Sequence, residues 1–174
     1  MPSPTSWTPA APLSTARLSL EPLRTDHADE MFDVLDDPGL HTYIGGDPAS
    51  REELGDLYAR QVVGSSPDGT QGWLNWVLRR HDTGRAVGTV QATLTHGPDG
   101  GREAELAWVV AGDEQGRGYA REAAVAVAGW LREDGVGTLV AHVHPDHDAS
   151  AGVARAVGMR PTGTVVDGEV RWTT

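Results

Sequence analysis

The sequence predicts an α+β (mixed α/β) fold: a mostly antiparallel central sheet of about seven strands with one parallel step, flanked by about four helices. Three observations carry this. Helical periodicity in the first third of the chain gives way at Gly72 to period-two alternation. Three strand-like segments then follow, separated by hairpin-sized turns, which makes an antiparallel meander. The last of them runs into a glycine-rich loop, a helix and another apolar strand. A strand–helix–strand unit of this kind requires a parallel pair joined by a right-handed crossover.

The elements follow in order. Met1 to Pro12 is rich in Pro, Ser and Thr and has neither a basic n-region nor an apolar h-region, so residues 1–14 read as a disordered lead-in rather than a signal peptide. Residues 15–174 are left as one domain. Arg17 to Leu23 alternates as a first strand. Thr25 or Asp26 caps a helix to about Leu35, with Ala28, Met31, Phe32 and Leu35 on its apolar face. Asp36-Asp37-Pro38-Gly39 stops it, and Leu40 to Gly46 is a loop carrying His41 and Tyr43. Ser50 with Glu53 forms a capping box for a helix over about 51–63. Strands follow over 73–80, 86–95 and 103–111, with turns at His81 to Gly84 and His96 to Gly101. A helix of about 118–133 ends at Gly135 and Gly137, Thr138 to Val143 is a buried strand, and a short helix over 149–157 stops at Gly158. Met159 to Val166 and Glu169 to Thr173 close the chain as a hairpin across Asp167-Gly168.

Composition bounds the function. The chain has 174 residues, 39% hydrophobic and 22% charged, as in a soluble globular protein. No apolar run has the length of a membrane span. There is no Cys, which excludes disulfides, thiolate metal sites and a cysteine nucleophile and fits a cytoplasmic protein. All 14 basic residues are Arg, which removes Schiff-base chemistry and the phosphate-loop lysine. The formal net charge of −11 argues against nucleic acid as a ligand and suits a cationic acceptor such as an amine. It is also what a merely solvated surface looks like.

The segment from Val109 to Ala124 carries the chemistry. A strand ends at Gly112, glycines stand at 116 and 118, and a helix begins. The first N–H groups of a helix lack internal partners and sit at the positive end of its dipole, which suits a pyrophosphate. Arg117 adds a positive charge. Where the sheet switches pairing, between the strand ending at Ala111 and the strand starting at Thr138, an opening for a ligand is expected.

Gln115-Gly116-Arg117-Gly118-Tyr119-Ala120 reads as Q-x-x-G-x-A, which resembles the acetyl-CoA pyrophosphate motif of the GNAT N-acetyltransferases. Glu105 to Val110 resembles the strand before that motif. His144 to Ser150 with Val157-Gly158-Met159, and Thr15 to Leu23, resemble the last helix and first strand of the group that acetylates ribosomal-protein N-termini. The resemblance covers roughly residues 15 to 172. It implies the GNAT fold, with a bent sheet and acetyl-CoA in a V-shaped gap. The pantetheine would pair beside Trp108, Val109, Val110 and Ala111, and the pyrophosphate would rest on the N–H groups of Gln115, Gly116, Arg117, Gly118, Tyr119 and Ala120. It implies direct acetyl transfer to a primary amine, on a small molecule or a peptide N-terminus. It leaves a homodimer open and calls for no metal. A non-catalytic acyl-CoA-binding protein on the same fold is the competing reading.

Under that resemblance Glu105 is the candidate base, acting directly or through water, and a strand N–H near Val109 or Val110 serves the thioester carbonyl. His147 stands where the family often has an Asn against the pantetheine arm. Ser150 matches the Ser of the ribosomal-protein group and is the candidate general acid and a cofactor contact. His41, Tyr43 and Trp73 are the candidate acceptor-binding residues. His142, His144 and His147 invite a metal reading, which Pro145 disfavours by breaking the strand. Arg79, Arg80 and Arg85 are expected to be solvated.

Overall fold

A computed structural model describes residues 7–41 and 47–174. The elements are β1 (Leu13–Ser14), β2 (Leu18–Pro22), α1 (Ala28–Leu35), α2 (Arg51–Gln61), β3 (Gly72–Arg80), β4 (Ala86–His96), β5 (Arg102–Val110), α3 (Tyr119–Glu133), β6 (Thr138–Val143), α4 (Asp148–Val157), β7 (Arg160–Val166) and β8 (Glu169–Thr173). All eight strands form one sheet in the order β1-β2-β3-β4-β5-β6-β8-β7. Every pair is antiparallel except β5–β6. The expected α+β class holds, with Leu13–Ser14 as an additional short strand.

Local chemistry explains the boundaries. Ser50 Oγ accepts from the Glu53 N–H while Glu53 reaches back to the Ser50 N–H, so the capping box opens α2. A single 3-10 turn, Thr25–His27, precedes α1, and Asp36 closes it. Asp167 and Gly168 both have positive φ, 50° and 80°, the combination that joins a two-residue hairpin without splaying its strands. Gly158 closes α4 in the left-handed region at φ 100°.

The two sheet faces are covered by different helix pairs. α3 and α4 lie on one face, where Ala123, Ala124, Val127 and Leu131 pack with Trp76, Val90, Ala104 and Leu106. The alanines on α3 let the helix sit close to the sheet. α1 and α2 cover part of the other face, where Met31, Leu54 and Tyr58 pack with Val77 and Ala86.

Residues 7–14 of the N-terminal segment lie against the sheet. The Trp7 indole is buried, donates to the Gly69 carbonyl at 3.1 Å and lies against Gly72, where an added Cβ would sit 2.7 Å from the ring. The Trp76 indole donates to the Ala11 carbonyl at 2.8 Å, and Leu13 and Ser14 pair with Leu20 and Ser19. Composition signalled polarity, but one anchoring Trp is enough to hold the segment.

Candidate active site

The sheet opens where its pairing changes. β5 and β6 pair in parallel over Glu103↔Thr138, Ala104↔Leu139 and Glu105↔Val140 only. β5 continues to Val110 and β6 to Val143, so the strands run on unpaired to each other and leave a wedge with Glu105 at its vertex. β4 holds the other edge of β5 in register through to Gly88↔Val110. The Ala111 N–H bonds to Val87 on β4, and by the alternation of that ladder Leu106, Trp108 and Val110 turn their backbone groups to the wedge, the edge an extended ligand can pair with.

The glycine turn lies at the mouth of that wedge. Gly116 (φ 78°) and Gly118 (φ 84°) are both left-handed, a conformation other residues adopt at a cost. Gly118 is also the N-cap of α3, and a glycine has no side chain to cap with, so the first-turn N–H groups are open to a ligand. The flanking side chains hold the turn from within. Gln115 Nε2 donates to the Val110 carbonyl at 3.0 Å, tying the loop to the strand end. The Tyr119 ring is buried beneath the Arg17 guanidinium, 4.6 Å away, and so only its backbone is available to a ligand. Glu114 is 3% exposed, and its carboxylate accepts from Arg80 at 3.1 Å and Arg85 at 3.2 Å, with Arg117 Nε at 3.8 Å. This corrects the expectation that Arg80 and Arg85 are only solvated: they anchor the turn. Arg79 is bound as well, by Glu21 and Glu30 at 2.8 Å each.

The predicted chemical residues fall into two groups on opposite faces of the sheet. Trp108 has the parity of Leu106 and Ala104, on the α3/α4 face. Its indole donates to Ser150 Oγ at 3.2 Å, bridging β5 and α4. His147 Nδ1 accepts from the Ser150 N–H at 3.2 Å, so His147, rather than Asp148, caps α4. Burial first, and the neighbouring His144 second, hold the His147 pKa below its ordinary value, which favours the neutral ring that this cap requires. Glu105 has the opposite parity and lies on the α1/α2 face. Its Oε1 is 2.7 Å from His142 Nδ1 on β6. Among the described residues no three His, Asp or Glu side chains are grouped as metal ligands.

Of the acceptor candidates, Trp73 stands in one cross-strand row with Thr93 and Glu105. Two strand spacings separate Trp73 from Glu105, about 10 Å. On the Trp73 side of that row lies a depression of about 260 Å³ over β3 and β4, lined by Trp73, Asn75, Gln91 and Thr93 under Leu57 and Arg60 of α2. His41 ends a 3-10 turn, Pro38–His41, that follows directly on Asp37, and the Asp37 carboxylate packs against Gly112, leaving no room there for a Cβ. Tyr43 lies outside the described residues.

Sequence reading missed His142 as the partner of Glu105, Glu114 as the hub of the arginines, and Arg17, whose guanidinium lies 3.4 Å from where a Cβ on Gly118 would be. The Glu105–His142 pair was legible in principle, since the parallel step places the two strands side by side. Their register was not.

The family model for the acetyltransferase (GNAT) domain matches residues 17–160. Solved structures align along nearly the whole chain. An acetyltransferase from Agrobacterium tumefaciens is 29% identical, with a TM-score of 0.71 over 98% of this chain and 97% of that one. A GNAT-family acetyltransferase from Bacillus anthracis is 18% identical, with a TM-score of 0.76 over 94% and 98%. RimL, a ribosomal-protein alpha-N-acetyltransferase solved with coenzyme A, is 15% identical, with a TM-score of 0.74 over 94% and 97%. No curated protein sequence matches the chain.

Proposed function

Since the chain belongs to the GNAT acetyltransferase family, we propose that it moves an acetyl group from acetyl-CoA directly to a primary amine, on a small molecule or a peptide N-terminus, within a ternary complex. The observation that carries this is the wedge. β5 and β6 separate just beyond Glu105, and the glycine turn stands at the open end. A thioester arm fits along the free edge of Leu106 to Val110, with Trp108 and His147 beside it. The pyrophosphate belongs at the N–H groups of 115–120, with Arg17 and Arg117 as the nearby cations.

The opposed faces give the reaction its direction. An ammonium cannot attack a thioester and must lose a proton first. That removal depends on Glu105, directly or through an intervening group, on the α1/α2 face, where the Trp73 depression admits an acceptor. The amine nitrogen then attacks the carbonyl carbon, a strand N–H near Val109 or Val110 meets the developing oxyanion, and the C–S bond breaks. Ser150, on the α3/α4 face, hands a proton to the departing sulfur. The Trp108 indole donates to Ser150 Oγ and so leaves its hydroxyl proton free to be given.

The test is thiol release from acetyl-CoA across a panel of peptide N-termini, polyamines and drug-like amines. Release that depends on Glu105 is the expected result. Tight CoA binding with no release for any amine would instead identify a non-catalytic acyl-CoA-binding protein.

A further inference from the structure

The Glu105–His142 pair orders the two groups. At 2.7 Å, Oε1 of Glu105 and Nδ1 of His142 share a hydrogen bond. A carboxylate only accepts, so Nδ1 must hold the proton. The neutral imidazole is then fixed in one tautomer, with its lone pair on Nε2. Glu105 stands to His142 as an orienting carboxylate stands to an imidazole base in a hydrolytic triad. An imidazole is also the better match for taking a proton near neutral pH than a carboxylate.

The geometry points to His142 Nε2 as the atom that removes the acceptor's proton, with Glu105 as the positioning residue that holds its tautomer. This rests on the acetyl-transfer reading above and assigns its base. The placement supports it. His142 lies on the same sheet face as Glu105, two residues beyond the last β5–β6 rung, so its Cα is already at the wedge. The ring is partly open, at 24% side-chain exposure.

Charged groups on the neighbouring strands share this face with the ring. β5 presents Glu105 and Glu103, and β8 presents Arg171 in register with His142. Arg171 is drawn toward Glu103, at 3.4 Å, which tempers its repulsion of an imidazolium. Along β6 itself the next residue of the same parity is His144. When the ring takes the proton, the Glu105 carboxylate is already in place against the new positive charge. In the balanced step, R–NH3+ gives one proton to Nε2 and becomes R–NH2. Its lone pair forms the N–C bond as the C–S pair leaves with sulfur. The second N–H proton reaches the thiolate through Ser150, and the imidazolium releases its proton to solvent.

Two measurements test this. Nitrogen-15 NMR of the histidine rings in the full-length protein reads the tautomer without any activity. His142 should show Nδ1–H; a dominant Nε2–H tautomer overturns the assignment. The pH dependence of kcat and kcat/KM is then followed for wild type, His142→Gln, Glu105→Gln and Glu105→Asp with one acceptor throughout. Melting and CoA affinity serve as folding controls. His142→Gln should lower kcat about 10²–10⁴-fold and abolish the acid limb of the profile while CoA affinity stays within threefold. Glu105→Gln should keep an acid limb but displace it, and Glu105→Asp should restore most of the rate. Should Glu105 itself be the base, His142→Gln would keep its acid limb and most of its kcat, and the proposal fails while the acetyl-transfer reading stands. A protein without turnover for any amine fails the acetyl-transfer reading instead, and the tautomer then shows whether the Glu105–His142 arrangement is nevertheless real.

Discussion

Replacing Gly118 by Val tests the cofactor turn. Gly118 sits at φ 84° and ψ 12°, where an L side chain costs about 1–2 kcal/mol and a β-branched one lies at the high end. The new Cβ would lie 3.4 Å from a guanidinium nitrogen of Arg17, which is itself held by Glu122 at 2.8 Å and yields little. Each kcal/mol lost moves Tm by about 2–4 °C in a domain of this size, so a drop of several degrees follows. The binding effect is larger. A side chain on the turn keeps a pyrophosphate away from the N–H groups of 118–120. Each charge-assisted hydrogen bond lost is worth about 1.5–3 kcal/mol, and therefore roughly 10- to 150-fold in Kd. The assay is calorimetric titration with CoA beside thermal melting. Gly129→Ala is the control: it lies inside α3 with nothing within 4 Å of the added Cβ. It should gain about 0.5–1 kcal/mol and leave Kd alone. A folded Gly118→Val protein that binds CoA within threefold of wild type refutes the pyrophosphate assignment.

Other outcomes follow from the same geometry. Glu114→Ala removes the carboxylate that Arg80 and Arg85 share, leaving them only Asp82 and Asp113, and should lower Tm and weaken CoA binding as the turn loosens. Ser150→Ala should lower kcat about 10²-fold or more, well beyond any loss of CoA affinity, and normal turnover would remove it as the acid. Trp108→Phe removes the donor to Ser150 Oγ and should cost about 1 kcal/mol in stability. His27 is buried and its pKa is lowered, first by desolvation and then by Arg24. Its folded state disfavours the proton, so stability is complete above the ordinary histidine value and falls as pH drops through the range from about 6.5 down to the depressed value. His27→Gln should flatten that part of the Tm–pH curve. A curve of unchanged slope would contradict it.

Local signals were readable from the residues alone. Ser50 and Glu53 announce α2, Asp167-Gly168 announces the final hairpin, and the glycines at 116 and 118 mark the turn. These are short-range effects in which a residue's own backbone preference decides the outcome. What could not be read depends on distant partners. Trp7 finds Gly69 and Gly72 more than 60 positions away. Arg80 and Arg85 look like any solvent-facing hairpin pair until Glu114 is folded beneath them. Glu105 was identifiable as an acidic residue beside the motif. Its pairing with His142 depends on the register of two strands joined by a 15-residue helix, and periodicity carries no register across such a crossover.

The short β5–β6 ladder has a mechanical consequence. β4 and β5 share nine rows, whereas β5 and β6 share three. The sheet is therefore two stiff plates, β1–β5 and β6–β8, on a narrow isthmus. Amide exchange at Glu103 to Glu105 and Thr138 to Val140 should proceed by opening of that isthmus, well before either plate unravels. A molecule lying along the wedge touches both plates at once. It should slow exchange on both sides together and merge their melting into a single transition. The same split that makes room for a ligand makes the ligand a structural member of the sheet.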